Sequence, residues 1–153
     1  MTDSSSDLRS LDLCAIGLGQ GGCNLAAEWR RRGYRTIVCN TARADLQSLS
    51  RSEDLNVPLE EQRFIGLEGH DGVGREPVHG RACVVEHAER IREAVKERLK
   101  DADALLFFAG LGSGTGSACD ELVDTLAPLD IPMLCISTLP AHSESGTTKV
   151  NAV

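Results

Sequence analysis

The sequence predicts an α/β fold, a Rossmann-like three-layer sandwich built on a mostly parallel sheet. Short apolar runs alternate with stretches of helical periodicity along the chain, which is typical of strands joined by crossover helices. Two of the apolar runs end in clusters of glycine that lead directly into a helical stretch. The 153 residues fit one domain with a sizeable buried core.

The elements follow from the chain taken in order. A polar, Ser-rich tail over residues 1–10 is expected to be flexible. Five apolar runs predict strands at 11–16, 35–39, 63–65, 104–109 and 131–138, the last of them buried, with Pro132 near its start. Helical spacing predicts helices at 25–32, 44–49, 81–100, 117–126 and 147–153. A glycine-bearing loop over 66–80 is of a length that is usually functional or disordered.

Composition excludes several classes of partner and location. The formal net charge is −7 at pH 7, whereas nucleic-acid-binding proteins usually present a basic face, so we expect no nucleic acid. No apolar run approaches the roughly 18 residues of a membrane span. The first dozen residues are polar and acidic and do not resemble a secretion signal. We therefore expect a cytoplasmic protein.

The six cysteines show no C-x-x-C pair and no regular spacing. They therefore predict neither a disulfide framework nor a zinc site. Cys23 follows a glycine cluster at a predicted helix start, where a thiol pKa is sometimes lowered. Simple packing of Cys23 as a small hydrophobic residue is the better interpretation.

The two glycine clusters are the main functional signal. The first glycine loop, residues 17–24, and the second glycine loop, residues 110–118, each follow an apolar strand and open a helix. Glycines let a ligand approach the backbone closely, and the N–H groups of a helix's first turn have no partner within the helix, which favours phosphate binding. A need for sharp turns alone is the competing explanation for such glycines.

Further loops are expected to lie beside these two. In a parallel sheet, loops at the carboxyl ends of the strands gather at one edge, where ligands bind. Residues 40–45, the third loop over 66–80, and 139–146 join the glycine loops there. The last segment offers Ser143, Glu144 and Ser145 as hydrogen-bonding groups for a sugar.

Several familiar sites match the glycine loops less well. Gly17-x-Gly19-x-x-Gly22 fits a dinucleotide fingerprint, but that reading requires an acidic residue where this chain has Asn40. A mononucleotide P-loop requires a Gly-Lys-Ser/Thr ending that neither loop has. The nucleophile elbow of serine hydrolases, Gly-x-Ser-x-Gly, is not matched at Ser113.

The same residues resemble the tubulin/FtsZ superfamily over nearly all of 11–150. The second glycine loop is similar to the superfamily's signature loop, with Ser113 and Ala118 replacing two glycines. The first glycine loop resembles its first phosphate loop, with Gln20 as in tubulin. The run Gly72-x-Gly74-x-x-Pro77-x-x-Gly80 resembles the loop that faces the γ-phosphate, and residues 40–46 look like those of the archaeal CetZ group.

The resemblance implies GTP or GDP with Mg²⁺, held mostly by backbone donors. Ala42 stands where FtsZ has an aspartate, Glu144 where FtsZ has a ribose-contacting glutamate, and Thr115 is expected near the β-phosphate. Gln20 is expected near the metal, indirectly, and no catalytic residue is assigned. The nucleotide-binding residues implied are Gly19, Gln20, Gly21, Gly22, Asn24, Asn40, Gly72, Gly74, Gly110, Gly112, Ser113, Gly114, Thr115, Gly116 and Glu144.

The resemblance also implies a larger assembly. Residues 11–153 correspond to the N-terminal part of a GTP-binding domain, incomplete at its C-terminus, of a cytoskeletal GTPase that polymerises into protofilaments through nucleotide-bridged contacts. The acidic loop that orients the attacking water in the family lies further along, so we expect no hydrolysis by this chain alone. Two alternatives are a truncated tubulin-like module that binds nucleotide or a partner without turnover, and an NAD(P)-binding domain.

Overall fold

The sheet of the computed structural model, which describes residues 10–152, has five strands, all parallel. They lie in the order β3-β2-β1-β4-β5. This confirms the predicted α/β fold; the predicted tail, apart from residue 10, lies outside the described residues. The strands are β1 (Leu13–Leu18), β2 (Thr36–Asn40), β3 (Gln62–Phe64), β4 (Ala104–Gly110) and β5 (Met133–Thr138).

Helices cover the sheet on both faces. They are α1 (Gly19–Arg31), α2 (Arg43–Arg51), α3 (Pro77–Glu86), α4 (Ala88–Arg98), α5 (Cys119–Leu126) and the short α6 (Gly146–Val150). Single 3₁₀ turns occupy Leu59–Glu61, Gly116–Ala118 and Ala127–Leu129. No helix among residues 10–152 is both long and apolar enough to cross a membrane.

Two cores result, because successive strand residues point to opposite faces. Ile16 and Phe107 belong to one core, with the buried side chains of α3, α4 and α5. Ala15 and Phe108 belong to the other core, with those of α1 and α2. The sheet therefore forms the middle of three layers, as predicted.

The prediction of a single helix over 81–100 is wrong, because two shorter helices occupy this region. The predicted loop over 66–80 is also too long at its end. Helix α3 begins at Pro77, since proline suits the first helical position, and the chain breaks at His87 before α4. The break lets α3 bury Gly80 and Cys83 while α4 buries Ile91 and its neighbours. The continuous apolar stripe across 81–100 concealed this change of direction.

The expectation that 131–138 is a buried strand is also wrong. Strand β5 lies at the edge of the sheet, and Leu134 and Ile136 are 56% and 42% exposed. Both residues lie in register with Leu106 and Phe108 of β4, on the face that α1 and α2 only partly cover. A short apolar run indicates a strand but does not distinguish a central position from an edge.

Candidate functional site

The first glycine loop contains no separate connection between strand and helix. Strand β1 ends at Leu18, and α1 begins at Gly19 rather than near residue 25 as predicted. Gly19 adopts a left-handed φ of +69°, and a Cβ there would lie 2.9 Å from the backbone nitrogen of Gly116. No side chain caps α1. Its first-turn N–H groups therefore remain available at the carboxyl edge of the sheet.

Serine hydroxyls hold the second glycine loop in shape. Ser117 Oγ accepts from the N–H of Gly112 at 3.0 Å, and Ser113 Oγ accepts from the N–H of Gly116 at 3.0 Å. Within residues 10–152, the N–H groups of Ser113, Gly114 and Thr115 make no hydrogen bond. Three adjacent backbone donors are thus free to bind an anion.

The third loop and the chain after β2 close against the second glycine loop. The Thr41 and Thr115 hydroxyls share a buried hydrogen bond of 2.7 Å. The Gly72 N–H donates to the Thr41 carbonyl at 2.9 Å. A Cβ at Gly114 would lie 2.8 Å from the carbonyl oxygen of Gly74, so these loops meet backbone to backbone.

Asn40 uses its side chain to shape the turn after β2. Its Oδ1 accepts from the N–H of Thr41 at 2.8 Å, and its Nδ2 donates to Asp45 Oδ2 at 3.0 Å. The residue is only 2% exposed. Both ends of the amide therefore have partners within the chain.

Two neighbouring cavities open at this edge and share Gln20 and Ser113. The larger has a volume of about 410 Å³ and is lined by Gln20, Gly21, Arg75, Gly110, Leu111, Gly112, Ser113, Thr138, Leu139, Pro140, Glu144 and Thr148. The smaller, of about 190 Å³, is lined by Gln20, Asn40, Thr41, Ala42, Asp45, Gly72, Val73, Gly74, Ser113, Gly114 and Thr115. The glycine loops and the third loop thus enclose one continuous polar site.

Comparison with known proteins agrees with this arrangement of loops. The family model for the tubulin/FtsZ GTPase domain matches residues 12–153. The chain belongs to the tubulin/FtsZ family. The tubulin-like protein TubZ of Bacillus cereus is 33% identical over 154 aligned residues, which cover 94% of this chain and 34% of TubZ.

Solved structures of tubulin/FtsZ relatives superpose well on the chain. CetZ1 of Haloferax volcanii, a GDP-bound monomer, gives a TM-score of 0.80 at 29% identity, over 93% of this chain and 46% of CetZ1. CetZ2 of the same organism, a GTPγS-bound protofilament, gives 0.79 at 31% identity, over 93% of this chain and 44% of CetZ2. The chain spans about a third of the length of TubZ, 34%, and less than half of either solved chain.

Of the fifteen residues that the tubulin/FtsZ resemblance implies as nucleotide-binding, eleven line one of the two cavities and four do not. Gly19, Gly22 and Gly116 are buried beneath them, where a Cβ would collide with neighbouring backbone. Asn24 is exposed on α1 and lines neither cavity. Neither serine that was expected to contact a sugar, Ser143 or Ser145, lines a cavity. Ser145 instead caps α6 by accepting a hydrogen bond from the Thr148 N–H.

Two charged residues in the cavities escaped the sequence analysis. Arg75 lines the larger cavity, and Asp45 lines the smaller one. The resemblance of the third loop depends on its glycines and Pro77, whereas Arg75 lies directly after Gly74 and belongs to no motif. Asp45 lies three residues after Ala42, the position at which FtsZ has an aspartate, within the residues that resemble the CetZ group.

Cys23 packs beneath the first glycine loop as a small hydrophobic residue. Burial raises the pKa of its thiol well above the ordinary value, and the thiol donates to the Cys39 carbonyl at 3.3 Å. Burial likewise raises the pKa of Cys39 to about 12. Both thiols are therefore neutral and unreactive near neutral pH. Among residues 10–152, no group of three or more His, Cys, Asp or Glu side chains could hold a metal ion.

Proposed function

We propose that the two cavities bind one guanine nucleotide. The observation that carries this proposal is the set of free backbone N–H groups at Ser113, Gly114 and Thr115, which line the smaller cavity together with Gln20 at the uncapped start of α1. Such donors recognise phosphate without a P-loop lysine. Family membership supports guanine as the base, since relatives CetZ1 and CetZ2 were solved with GDP and GTPγS.

The nucleotide would lie across both cavities. Glu144 in the larger cavity would contact the ribose, while Gly72, Gly74 and Gly114 in the smaller one would surround the terminal phosphate. Thr115 would lie near the β-phosphate. The remaining predicted contacts come from Gln20, Gly21, Asn40, Gly110, Gly112 and Ser113. Gly19, Gly22 and Gly116 would act through the shape of the backbone.

The smaller cavity also has the ligand chemistry that Mg²⁺ requires. Mg²⁺ prefers oxygen ligands, usually one or two carboxylates with water and substrate phosphates. Asp45 supplies a carboxylate there, Gln20 an amide oxygen, and Thr41 and Thr115 hydroxyls. Asp45 and Gln20 would therefore hold the ion, indirectly through water in the case of Gln20. When bound, the ion would neutralise charge on the phosphates.

The charge-neutral variant Asp45→Asn tests the metal proposal. We expect Mg²⁺ to tighten GTPγS binding by the wild-type chain, relative to EDTA, and to have little effect on Asp45→Asn. Asp54→Asn, at an exposed position outside both cavities, is the matched control. An equal Mg²⁺ effect in all three chains would rule out Asp45 as a ligand.

In the whole protein, we propose a cytoplasmic GTPase that polymerises into protofilaments through nucleotide-bridged contacts. The GTPγS-bound protofilament of the relative CetZ2 supports this. Residues 11–153 would form the N-terminal part of its GTP-binding domain. The part described here would bind nucleotide with little turnover, because phosphoryl transfer requires a positioned water. Asp45, the only carboxylate among the described residues that line the smaller cavity, is the one proposed to hold the metal ion.

Comparing how strongly GTPγS and NAD⁺ stabilise the chain tests the guanine-nucleotide proposal against a dinucleotide-binding site. The strand order β3-β2-β1-β4-β5 is shared with dinucleotide-binding folds, so NAD⁺ is the necessary comparison. GTPγS at 100 times its Kd should stabilise the chain by about 2.7 kcal/mol in thermal or urea unfolding. Stabilisation by NAD⁺ and not by GTPγS would overturn the proposal in favour of a dinucleotide site.

Filament formation needs a separate measurement. Light scattering and pelleting of the complete protein should increase with GTPγS and reverse with excess GDP. Nucleotide binding without any assembly, under conditions that preserve the fold, would leave a nucleotide-binding module and contradict the polymer proposal.

A further inference from the structure

Arg75 brings a positive charge to a site otherwise built from backbone donors. It follows Gly74 in the third loop, is exposed, and lines the larger cavity. Its own carbonyl accepts a hydrogen bond of 2.7 Å from Asn151 Nδ2. The loop that carries the guanidinium is therefore fastened to the chain beyond α6.

No other cation lines either cavity in the part of the chain that the structure describes. The charged residues that share these walls are Glu144 and Asp45, both acidic. None of the ion pairs formed among residues 10–152 involves Arg75. The charge of Arg75 is thus not neutralised within the site, in a chain whose formal net charge is −7.

The present contacts of the guanidinium are weak ones. Arg75 Nη1 donates to Ser145 Oγ at 3.4 Å and to Thr148 Oγ1 at 3.5 Å. These distances lie at the long limit of hydrogen bonding, and both acceptors are neutral hydroxyls. A phosphate oxygen would be a stronger partner, because charge-assisted bonds from arginine to phosphate are short and often bidentate.

We propose that Arg75 is the cationic phosphate ligand of this site, and that it exchanges its two hydroxyl partners for phosphate oxygens when nucleotide binds. This inference rests on the nucleotide-binding function proposed above and assigns it a residue. Because Arg75 shares the larger cavity with Glu144, it contacts the phosphates nearest the sugar, which GDP and GTPγS have in common.

Calorimetric titration of four chains tests the role of Arg75. Arg75→Ala removes the charge, Arg75→Lys keeps it, and Arg51→Ala makes the same truncation at an exposed arginine that lines neither cavity. The probes are GTPγS, GDP and guanosine. Arg75→Ala should weaken GTPγS and GDP alike by about 10- to 100-fold, the expected loss of a hydrogen bond to a charged group. Guanosine, which has no phosphate, should bind all four chains equally.

Two further readouts separate a phosphate contact from a change of loop shape. Arg75→Lys should recover most of the affinity lost in Arg75→Ala, since a point charge still attracts phosphate. The affinity of Arg75→Ala should also depend less steeply on salt concentration than that of the wild type, because exposed charge interactions are screened. Thermal unfolding of each free chain verifies that the fold is unchanged.

The outcomes distinguish the role of Arg75 from the proposed binding of a guanine nucleotide. A wild-type chain that binds none of the three probes overturns both. A wild-type chain that binds GTPγS while Arg75→Ala binds it equally well overturns the role of Arg75 alone. A loss confined to GTPγS overturns the contact with the phosphates nearest the sugar, and an equal loss for guanosine shows that Arg75 acts on the shape of the site.

Discussion

The two glycine loops are similar in composition, but different forces hold them. The first is fixed by close packing, since a Cβ at Gly22 would lie 2.0 Å from the carbonyl oxygen of Phe108 in β4. The second is held by the hydroxyls of Ser113 and Ser117 and by contact with the third loop. Gly22 therefore serves the packing of α1 on the sheet, whereas Gly114 serves the close approach of the third loop at the smaller cavity.

A glycine in a binding motif therefore need not face the ligand. Gly22 resembles a phosphate-loop residue in sequence, yet it lies against the sheet and lines neither cavity. Gly114 lines the smaller cavity and contacts the third loop. Substitution of Gly22 should affect folding before binding, and substitution of Gly114 should affect binding before folding.

The largest effect is expected from Gly22→Ala. The added methyl group would collide with the backbone of β4, which is paired on both sides and cannot move without disturbing the sheet. We expect the free energy of unfolding to fall by about 3 kcal/mol or more, measured by urea denaturation. A urea midpoint equal to that of the wild type would show that α1 can shift away from β4. It would contradict the claim that close packing fixes the first glycine loop.

Gly114→Val, in contrast, should weaken ligand binding more than it destabilises the fold. Its side chain would meet the Gly74 carbonyl oxygen and Val73 Cγ2 at 2.8 Å each, both in the third loop, which can move without unfolding the sheet. We expect at least a tenfold loss of GTPγS affinity, about 1.4 kcal/mol, with a near-native circular dichroism spectrum. Unchanged affinity would mean that the second glycine loop is only a turn.

Ser117→Ala should have an intermediate effect on stability. The substitution leaves the buried N–H of Gly112 without its acceptor and removes the bond that Ser117 Oγ donates to the Asn151 carbonyl at 3.2 Å. A loss of about 1 to 3 kcal/mol is expected in thermal or urea unfolding. Ser143→Ala, at an exposed position in the loop after β5, should change stability by less than about 0.5 kcal/mol.

Gly21→Ala is expected to have the smallest effect on folding. Gly21 lies in α1, and the nearest atom to an added Cβ is Gly110 Cα at 3.6 Å, an ordinary contact. Alanine is also the better helix former, so stability should change by less than about 1 kcal/mol and in the favourable direction. A destabilisation as large as that of Gly22→Ala would show that Gly21 is sterically restricted as well.

The sequence was sufficient for the fold and for most of the cavity lining. Alternating strands and helices place Gln20, Gly72, Ser113 and Glu144 at one edge, because parallel strands bring their following loops together. The break at His87 was not predictable, because the apolar periodicity continues from α3 into α4. What changes there is the direction of the chain, which the periodicity does not report. The exposure of β5 depends on which elements lie beside it, which its own residues do not encode.

The charged members of the site were harder to predict than its glycines. The position of Arg75 in the larger cavity depends on how the third loop lies against α6, a contact between residues 70 or more positions apart. Asp45 reaches the smaller cavity because α2 begins directly after the turn shaped by Asn40. Both depend on tertiary contacts, which local patterns of glycine and apolar residues do not report.

The hydroxyl pair of Thr41 and Thr115 leaves one hydrogen-bond donor available to the smaller cavity. Each hydroxyl has a single proton, so whichever residue donates in their shared bond, the proton of the other is free to turn toward the smaller cavity. Reversing the direction of that one bond moves the outward-facing donor from one threonine to the other. The pair can therefore present its free donor from either side chain without any movement of the backbone.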